Sequence, residues 1–170
     1  MFYDIAVTHT STRLRALDGF VKEIQKQAKK KSMSDEEVMN MRLAEDMFAF
    51  GKQIQVATDN AKGCVSRLTG TDAPVFEDNE TTLDELLTRI EKTINYINTF
   101  NHEDFIGSDA RQIELPYFPG MHFTGAGYMI GFYLPNFHFH AVTAYNICRM
   151  HGFEIGKKEF MMDIPLIPNQ

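Results

Sequence analysis

Asn136, His140, Thr143 and Ile147 stand at i, i+4, i+7 and i+11, the spacing that puts side chains on one face of a helix. Phe137, Ala141, Ala144 and Cys148 form the adjoining apolar stripe. From such a face the Asn136 amide and the His140 imidazole can point at a common atom. An imidazole changes charge near neutral pH, and its unprotonated nitrogen accepts a proton, a hydrogen bond or a metal ion. The pair therefore suits recognition of a small polar ligand, or one corner of a metal site. His138 and His140 are more conspicuous, but residues two apart diverge on a helix and would converge only on a strand.

Punctuation supports a helix there. Pro135 has the fixed φ of a first turn, Gly152 can take the left-handed position after the last, and Arg149 and His151 suit the negative C-terminal end. A second helix is expected from about Asp46 to Leu68, with Met47, Phe50, Ile54, Ala57, Ala61, Val65 and Leu68 on one side and Gly70 to stop it. Asp46, Gln53 and Asn60 lie seven apart, making a polar line beside that buried stripe, and polar groups near a core need partners. Lys52, Lys62 and Arg67 fall on the side expected to face solvent.

The remaining elements follow from the same patterns. Apolar residues at helical steps from Tyr3 to Lys30 give helix one, and Ser34 with Glu37 has the spacing of a capping box before a short turn through Met39. Thr82 and Glu85 offer a second box for helix three, which carries Leu83, Leu86, Leu87, Ile90, Ile94, Ile97 and Phe100. Residues 111–115 and 121–124 flank Pro116-Tyr117-Phe118-Pro119-Gly120, the turn chemistry of a β-hairpin. Ala126 to Tyr133 reads as helical, with Pro135 either kinking it or separating it from the helix of His140. Residues 164–168, with two prolines, suit neither a helix nor a central strand. Four principal helices with a hairpin between the third and fourth make an all-α four-helix bundle, a single domain over residues 1–170.

Composition narrows the function classes. A net charge of -6 argues against nucleic-acid binding, and the lysines at 22, 26 and 29–31 cluster where they complement the end of helix one. The acidic loop of Glu77, Asp78 and Glu80 is expected to be solvated, or to meet those lysines across an interface. No stretch approaches the ~18 apolar residues of a membrane helix, and the N-terminus has no basic segment leading into an apolar core. Cys64 and Cys148 sit among alanines and valines, as small buried thiols of a reducing compartment do; the expected location is cytoplasmic.

Several segments together resemble a known family: Arg42-Leu43-Ala44-Glu45-Asp46-Met47-Phe48, Gln53-Ile54-Gln55, Ala61-Lys62-Gly63, Asp78-Asn79-Glu80-Thr81-Thr82, Phe123-Thr124-Gly125, and Leu134-Pro135-Asn136-Phe137 running to His140 and Thr143-Ala144-Tyr145. They are similar to a bacterial domain-of-unknown-function family of the DinB/YfiT-like superfamily of four-helix bundles, over almost the whole chain. The resemblance implies a divalent metal, zinc or nickel, held by a histidine of the second helix and a His-x-x-x-His pair of the fourth. It also implies hydrolase or thiol-transferase chemistry in some members, and a homodimer. By position the second histidine of the pair is His140, the tentative metal ligand, and the first falls on Asn136. The second-helix ligand falls near Gln53, with Asp46 as a substitute two turns earlier. Two amides beside one imidazole make a poor zinc site, which favours nitrogen, thiolate or carboxylate donors.

Two functions of different classes remain. In one, a non-catalytic bundle recognises a small polar ligand through Asp46, Gln53, Asn136 and His140, or uses them only to order its core. In the other, a divalent ion held by His140, Asp46 and either His138 or His9 activates water or a thiol. His9 belongs to a polar patch with Thr8, Thr10 and Ser11, and His102 and His122 are expected at the surface or in the hairpin. Phe48, Phe50, Phe132, Tyr133, Phe137, Phe139 and Tyr145 are expected to be mostly core, to line any pocket, and where exposed to bury against a second subunit. Both functions require the imidazole of His140 to face the second helix.

Overall fold

The computed structural model describes residues 1–162, 164 and 166–169. Four long helices dominate: α1 (Thr10–Lys30), α3 (Phe50–Thr69), α4 (Leu83–Ile97) and α6 (Leu134–Met150). Shorter helices fill the corners: α2 (Asp35–Asn40), α5 (Gly125–Tyr128) and α7 (Lys157–Met161). The chain between α4 and α5 carries the hairpin β1 (Gln112–Glu114) and β2 (His122–Thr124), antiparallel with Ile113 opposite Phe123. The expected fold class is present, and the neighbour order around the bundle is α1, α4, α3, α6. Phe160 of α7 packs on Tyr145 and covers the seam between α6 and α1. No helix of the described residues is long and apolar enough to cross a membrane.

The capping boxes form as their spacing requires. Glu37 accepts from the Ser34 backbone N–H at 2.6 Å while Ser34 Oγ accepts from the Glu37 N–H, and Thr82 and Glu85 repeat the exchange. Residues 4–9 (Asp4–His9) differ from a plain first turn, forming a π-helical lead into α1. There Thr10 Oγ1 donates to the Ile5 carbonyl at 2.8 Å, so it can only accept from the Tyr133 hydroxyl, 2.5 Å away. That bond ties the start of α1 to the approach to α6.

Pro135 does not separate its helix from the turns before it. The chain is helical from Gly125 to Met150, widened to a π turn over Met129–Tyr133 just before the proline. A proline ring in an α-helix would clash with the carbonyl four residues earlier, here that of Gly131, and this residue lies within the π turn.

The second expected helix is shorter than its sequence pattern. It starts at Phe50 rather than near Asp46, because tertiary partners hold residues 41–49 as a loop. The Phe50 N–H donates to the Met41 carbonyl at 2.8 Å, the Arg42 side chain donates forward to the Met47 carbonyl at 2.5 Å, and the Arg42 carbonyl meets His151 at 3.1 Å. Asp46 is consequently in an exposed turn.

The outer side of α3 is also less solvated than expected. Lys62 is buried, Lys52 and Arg67 are half-buried, and Gln55, Thr58 and Ser66 are buried as well. The acidic loop explains part of this. Glu77 and Asp78 stay exposed, as expected, but Asp78 and the half-buried Glu80 also bind Arg89 of α4, and Asp78 binds Lys52 of α3 at 2.5 Å.

Candidate functional site

Helices α3 and α6 lie antiparallel and present two polar rungs to each other. In the first, Gln53 Oε1 and His140 Nδ1 are 2.7 Å apart. In the second, Asn136 Nδ2 donates to Asn60 Oδ1 at 2.8 Å, and Asn60 Nδ2 donates to the Val56 carbonyl at 2.9 Å. Gln53 and His140 thus meet as their spacing predicts. Asn136 does not join them, because a partner on the next turns of α3 takes its amide. Asp46 takes no part, exposed in the loop before α3. His138 is half-buried on a neighbouring face of α6, with its ring 5.7 Å from that of His9.

The hydrogen-bond chain fixes the protonation of the imidazole. Gln53 Nε2 donates to the Phe48 carbonyl at 3.0 Å, which turns the amide oxygen of Gln53 toward His140. Facing an acceptor, Nδ1 must carry the proton. Nε2 is then the unprotonated nitrogen, an acceptor with a free lone pair. Among the described residues no buried side-chain nitrogen or oxygen lacks a partner, so Nε2, which has none, opens toward solvent although His140 as a whole is 7% exposed. Phe48 stacks on the imidazole at 6.5 Å and 21°, and Phe139 meets it edge-on at 5.2 Å. Burial in this setting lowers the pKa of His140 below the ordinary value.

Phe48, expected among the mostly core aromatics that would line any pocket, is half-exposed and has a second surface. It helps line a depression of about 610 Å³ together with Met39, Arg42, Gly51, Lys52, Gln55 and Glu80. That volume is within the range of small-molecule sites, and the lining mixes an apolar floor with charged groups. The signal in the sequence was faint. Gly51 and Met39 are the clearest trace, since a Cβ at position 51 would come 2.6 Å from the Met39 methyl.

The thiols offer no chemistry. Cys64 and Cys148 are both free and buried, and burial pushes each well above the ordinary thiol range. A thiolate nucleophile at neutral pH is therefore absent from both positions.

The comparisons with known proteins agree with the geometry. Residues 2–161 match the family model described as Domain of unknown function (DUF1993). The chain belongs to this family. A crystal structure of a DinB family member from Shewanella denitrificans superposes with a TM-score of 0.95 at 37% identity, covering 99% of this chain and 96% of the other. No curated protein matches. The DUF1993 chain is thus a DinB-like bundle, as its sequence segments imply.

The superfamily's divalent metal can be tested against the donors this DUF1993 chain has in place. His140 Nε2 is one donor, but the Gln53 oxygen is committed to Nδ1, Asn136 is bonded to Asn60, and Asp46 is exposed in the turn before α3. Among the described residues no three of His, Cys, Asp and Glu come together in a way that could hold an ion. Zinc and nickel need more nitrogen, thiolate or carboxylate donors than this, so the residues at His140 do not fit the metal.

The lowered pKa values give a pH prediction. His140, His138 and His9 all titrate below 6.5 in the folded chain, each chiefly because burial disfavours the cation. A depressed pKa means that the unfolded state binds protons first as pH falls. The stability is therefore complete above the unfolded value and is lost as pH drops toward the folded one. The urea midpoint is expected to decline between about pH 7 and 5, and less steeply in His140→Gln. A flat midpoint over that window would contradict buried neutral imidazoles.

Proposed function

We propose that this DUF1993 protein is a non-catalytic, small-ligand-binding bundle, with His140 Nε2 as a fixed hydrogen-bond acceptor and the depression beside Phe48 as the ligand's berth. The observation that carries this is the double role of Phe48. Its carbonyl holds the Gln53 amide that sets the imidazole tautomer, and its ring both stacks on His140 and lines the depression. A ligand entering beside Phe48 meets the Met39 and Phe48 side chains on its apolar side, and Arg42, Lys52 and Gln55 together with the carboxylates of Glu36 and Glu80 on its polar side. A small molecule with an apolar body and an anionic or hydroxyl-bearing end has the matching chemistry.

Benzoate, phenol and glycerol, each titrated to millimolar concentration, serve as probes. Benzoate or phenol is expected to shift the NMR signals of the Met39 methyl and the His140 ring together, and Phe48→Ala should uncouple the two. Shifts confined to other parts of the chain, or none with any probe, would overturn the proposal. The other reading, a divalent-metal hydrolase or thiol transferase, is what the superfamily suggests, and the amides at positions 53 and 136 count against it.

The same proposal takes the protein as a cytoplasmic homodimer. Free buried thiols suit a reducing compartment, and α6 turns Phe139, Val142 and Met150 outward. Light scattering should give twice the chain mass, falling to one chain in Phe139→Glu/Met150→Glu.

A further inference from the structure

His9 and His138 are the two histidines that the ligand site does not use. His9 ends the π-helical lead into α1, and His138 is on α6, so each ring is carried by a long helix rather than by a loop. Their ring centroids are 5.7 Å apart with planes inclined at 60°. No hydrogen bond to either ring occurs among the described residues, and no buried nitrogen there is orphaned, so their nitrogens are reachable from solvent. Two unpartnered imidazoles facing each other from separate rigid elements call for an explanation.

The separation matches a shared ion. A metal–nitrogen bond is about 2.0–2.1 Å, which puts each ring centroid roughly 3.2 Å from the ion, so two rings on one nickel or copper ion stand about 4.5 Å apart at a right angle and about 6.4 Å apart when opposite. The observed value falls between these limits. Burial and the nearby Arg13 guanidinium both disfavour the imidazolium, leaving the lone pairs available at neutral pH. Arg13 opposes a cation to some extent, but its guanidinium is drawn to the Met162 carbonyl at 2.8 Å.

We propose that His9 and His138 form a two-imidazole chelate for a late first-row transition-metal ion, nickel(II) or copper(II), distinct from the His140 site. Among divalent ions, neutral imidazole pairs favour these two most, with water completing the coordination. Binding cross-links the lead of α1 to α6, so it stabilises the folded chain against heat in proportion to ion concentration.

The test uses tag-free protein, with nickel(II) or copper(II) as the probe, in thermal shift and calorimetry. One equivalent of ion is expected to raise the Tm of the wild type and of His140→Gln alike. His9→Gln and His138→Gln should each weaken binding at least tenfold, and Arg13→Gln should tighten it. Copper(II) EPR provides a readout independent of stability, with coupling to two imidazole nitrogens in the wild type and to fewer in either variant. The proposal is overturned by full-strength binding in His9→Gln or His138→Gln, by loss of binding in His140→Gln, or by no stoichiometric binding at all.

Discussion

Replacing Arg89 with methionine is expected to destabilise the protein by about 3–5 kcal/mol, because it removes the one cation shared by three carboxylates at a buried site. The Arg89 side chain is 1% exposed. Its Nε donates to Thr58 Oγ1 at 2.8 Å, Nη2 reaches Asp59 at 2.8 Å and Asp78 at 2.9 Å, and Nη1 reaches Glu80 at 3.0 Å. The Phe76 ring lies under the guanidinium, 5.4 Å away. Methionine keeps much of the volume and none of the donors. Lys62 and Lys52 still attend Asp59 and Asp78, but Glu80 is left with the Gln55 amide alone.

For a chain of this size such a loss lowers Tm by roughly 6–20 °C. Arg89→Lys should fall in between, since it restores a charge without the fork that spans several carboxylates. The variant's deficit should also shrink in acid. Burial alone would raise the pKa of Asp78, but Lys52 and Arg89 outweigh it and hold the carboxyl below its ordinary value. That contribution is present at neutral pH and is lost as pH falls through the folded pKa, below about 4. Thermal melts of the wild type and variants at neutral and acid pH measure both effects. Equal Tm values at neutral pH would mean that the loop of Glu77 to Glu80 is held by other contacts.

Gly125→Ala is the second large effect, and it acts on the helix that carries His140. A Cβ at Gly125 would come 1.7 Å from the Ser108 carbonyl oxygen and 2.8 Å from its carbon, with Leu68 a further 3.3 Å contact. These first two are backbone atoms, so no rotamer change relieves the clash. Ser108 is itself anchored, its hydroxyl donating to the Leu68 carbonyl at 2.7 Å, and the Ala126 N–H donates to the Asp109 carbonyl. The start of the 125–150 helix would have to move away from the end of α3. Overpacking typically costs about 1–3 kcal/mol, and a backbone clash this deep is expected to reach or exceed the upper end. Gly131→Ala is the control: nothing lies within 4 Å of its Cβ, so stability should hold. Denaturation midpoints of the two alanine variants should therefore differ widely, and similar midpoints would show that the Gly125 contact yields easily.

Local signals made most of the fold legible in the sequence. Capping boxes at Ser34/Glu37 and Thr82/Glu85, the proline-glycine turn at 116–120, and the 3.6-residue patterns of the long helices each act within a few residues. The Gln53–His140 bond was legible for the same reason, because helical periodicity fixes which face each residue takes. Arg89 was not. Within Leu86-Leu87-Thr88-Arg89-Ile90 it resembles a solvent-facing residue of an amphipathic helix, and its partners Thr58, Asp59, Asp78 and Glu80 come from other elements. Asp46 failed in the opposite sense. Its neighbours have helical propensity, but hydrogen bonds from Phe50, Arg42 and His151 hold residues 41–49 as a loop, and no local pattern encodes them. The pairing of Asn136 with Asn60 and the half-exposed ring of Phe48 likewise depend on how two helices and a loop come together.

The tautomer of His140 is where the account is most directly exposed to measurement. Nitrogen-15 NMR of the imidazole, followed from neutral to mildly acid pH, should show Nδ1 with a protonated, pyrrole-like shift and Nε2 with an unprotonated, pyridine-like one, the pattern persisting below the pH at which an ordinary histidine titrates. The opposite tautomer, or an imidazolium forming at the usual pH, would contradict a ring held by Gln53 with Nε2 left free to bind.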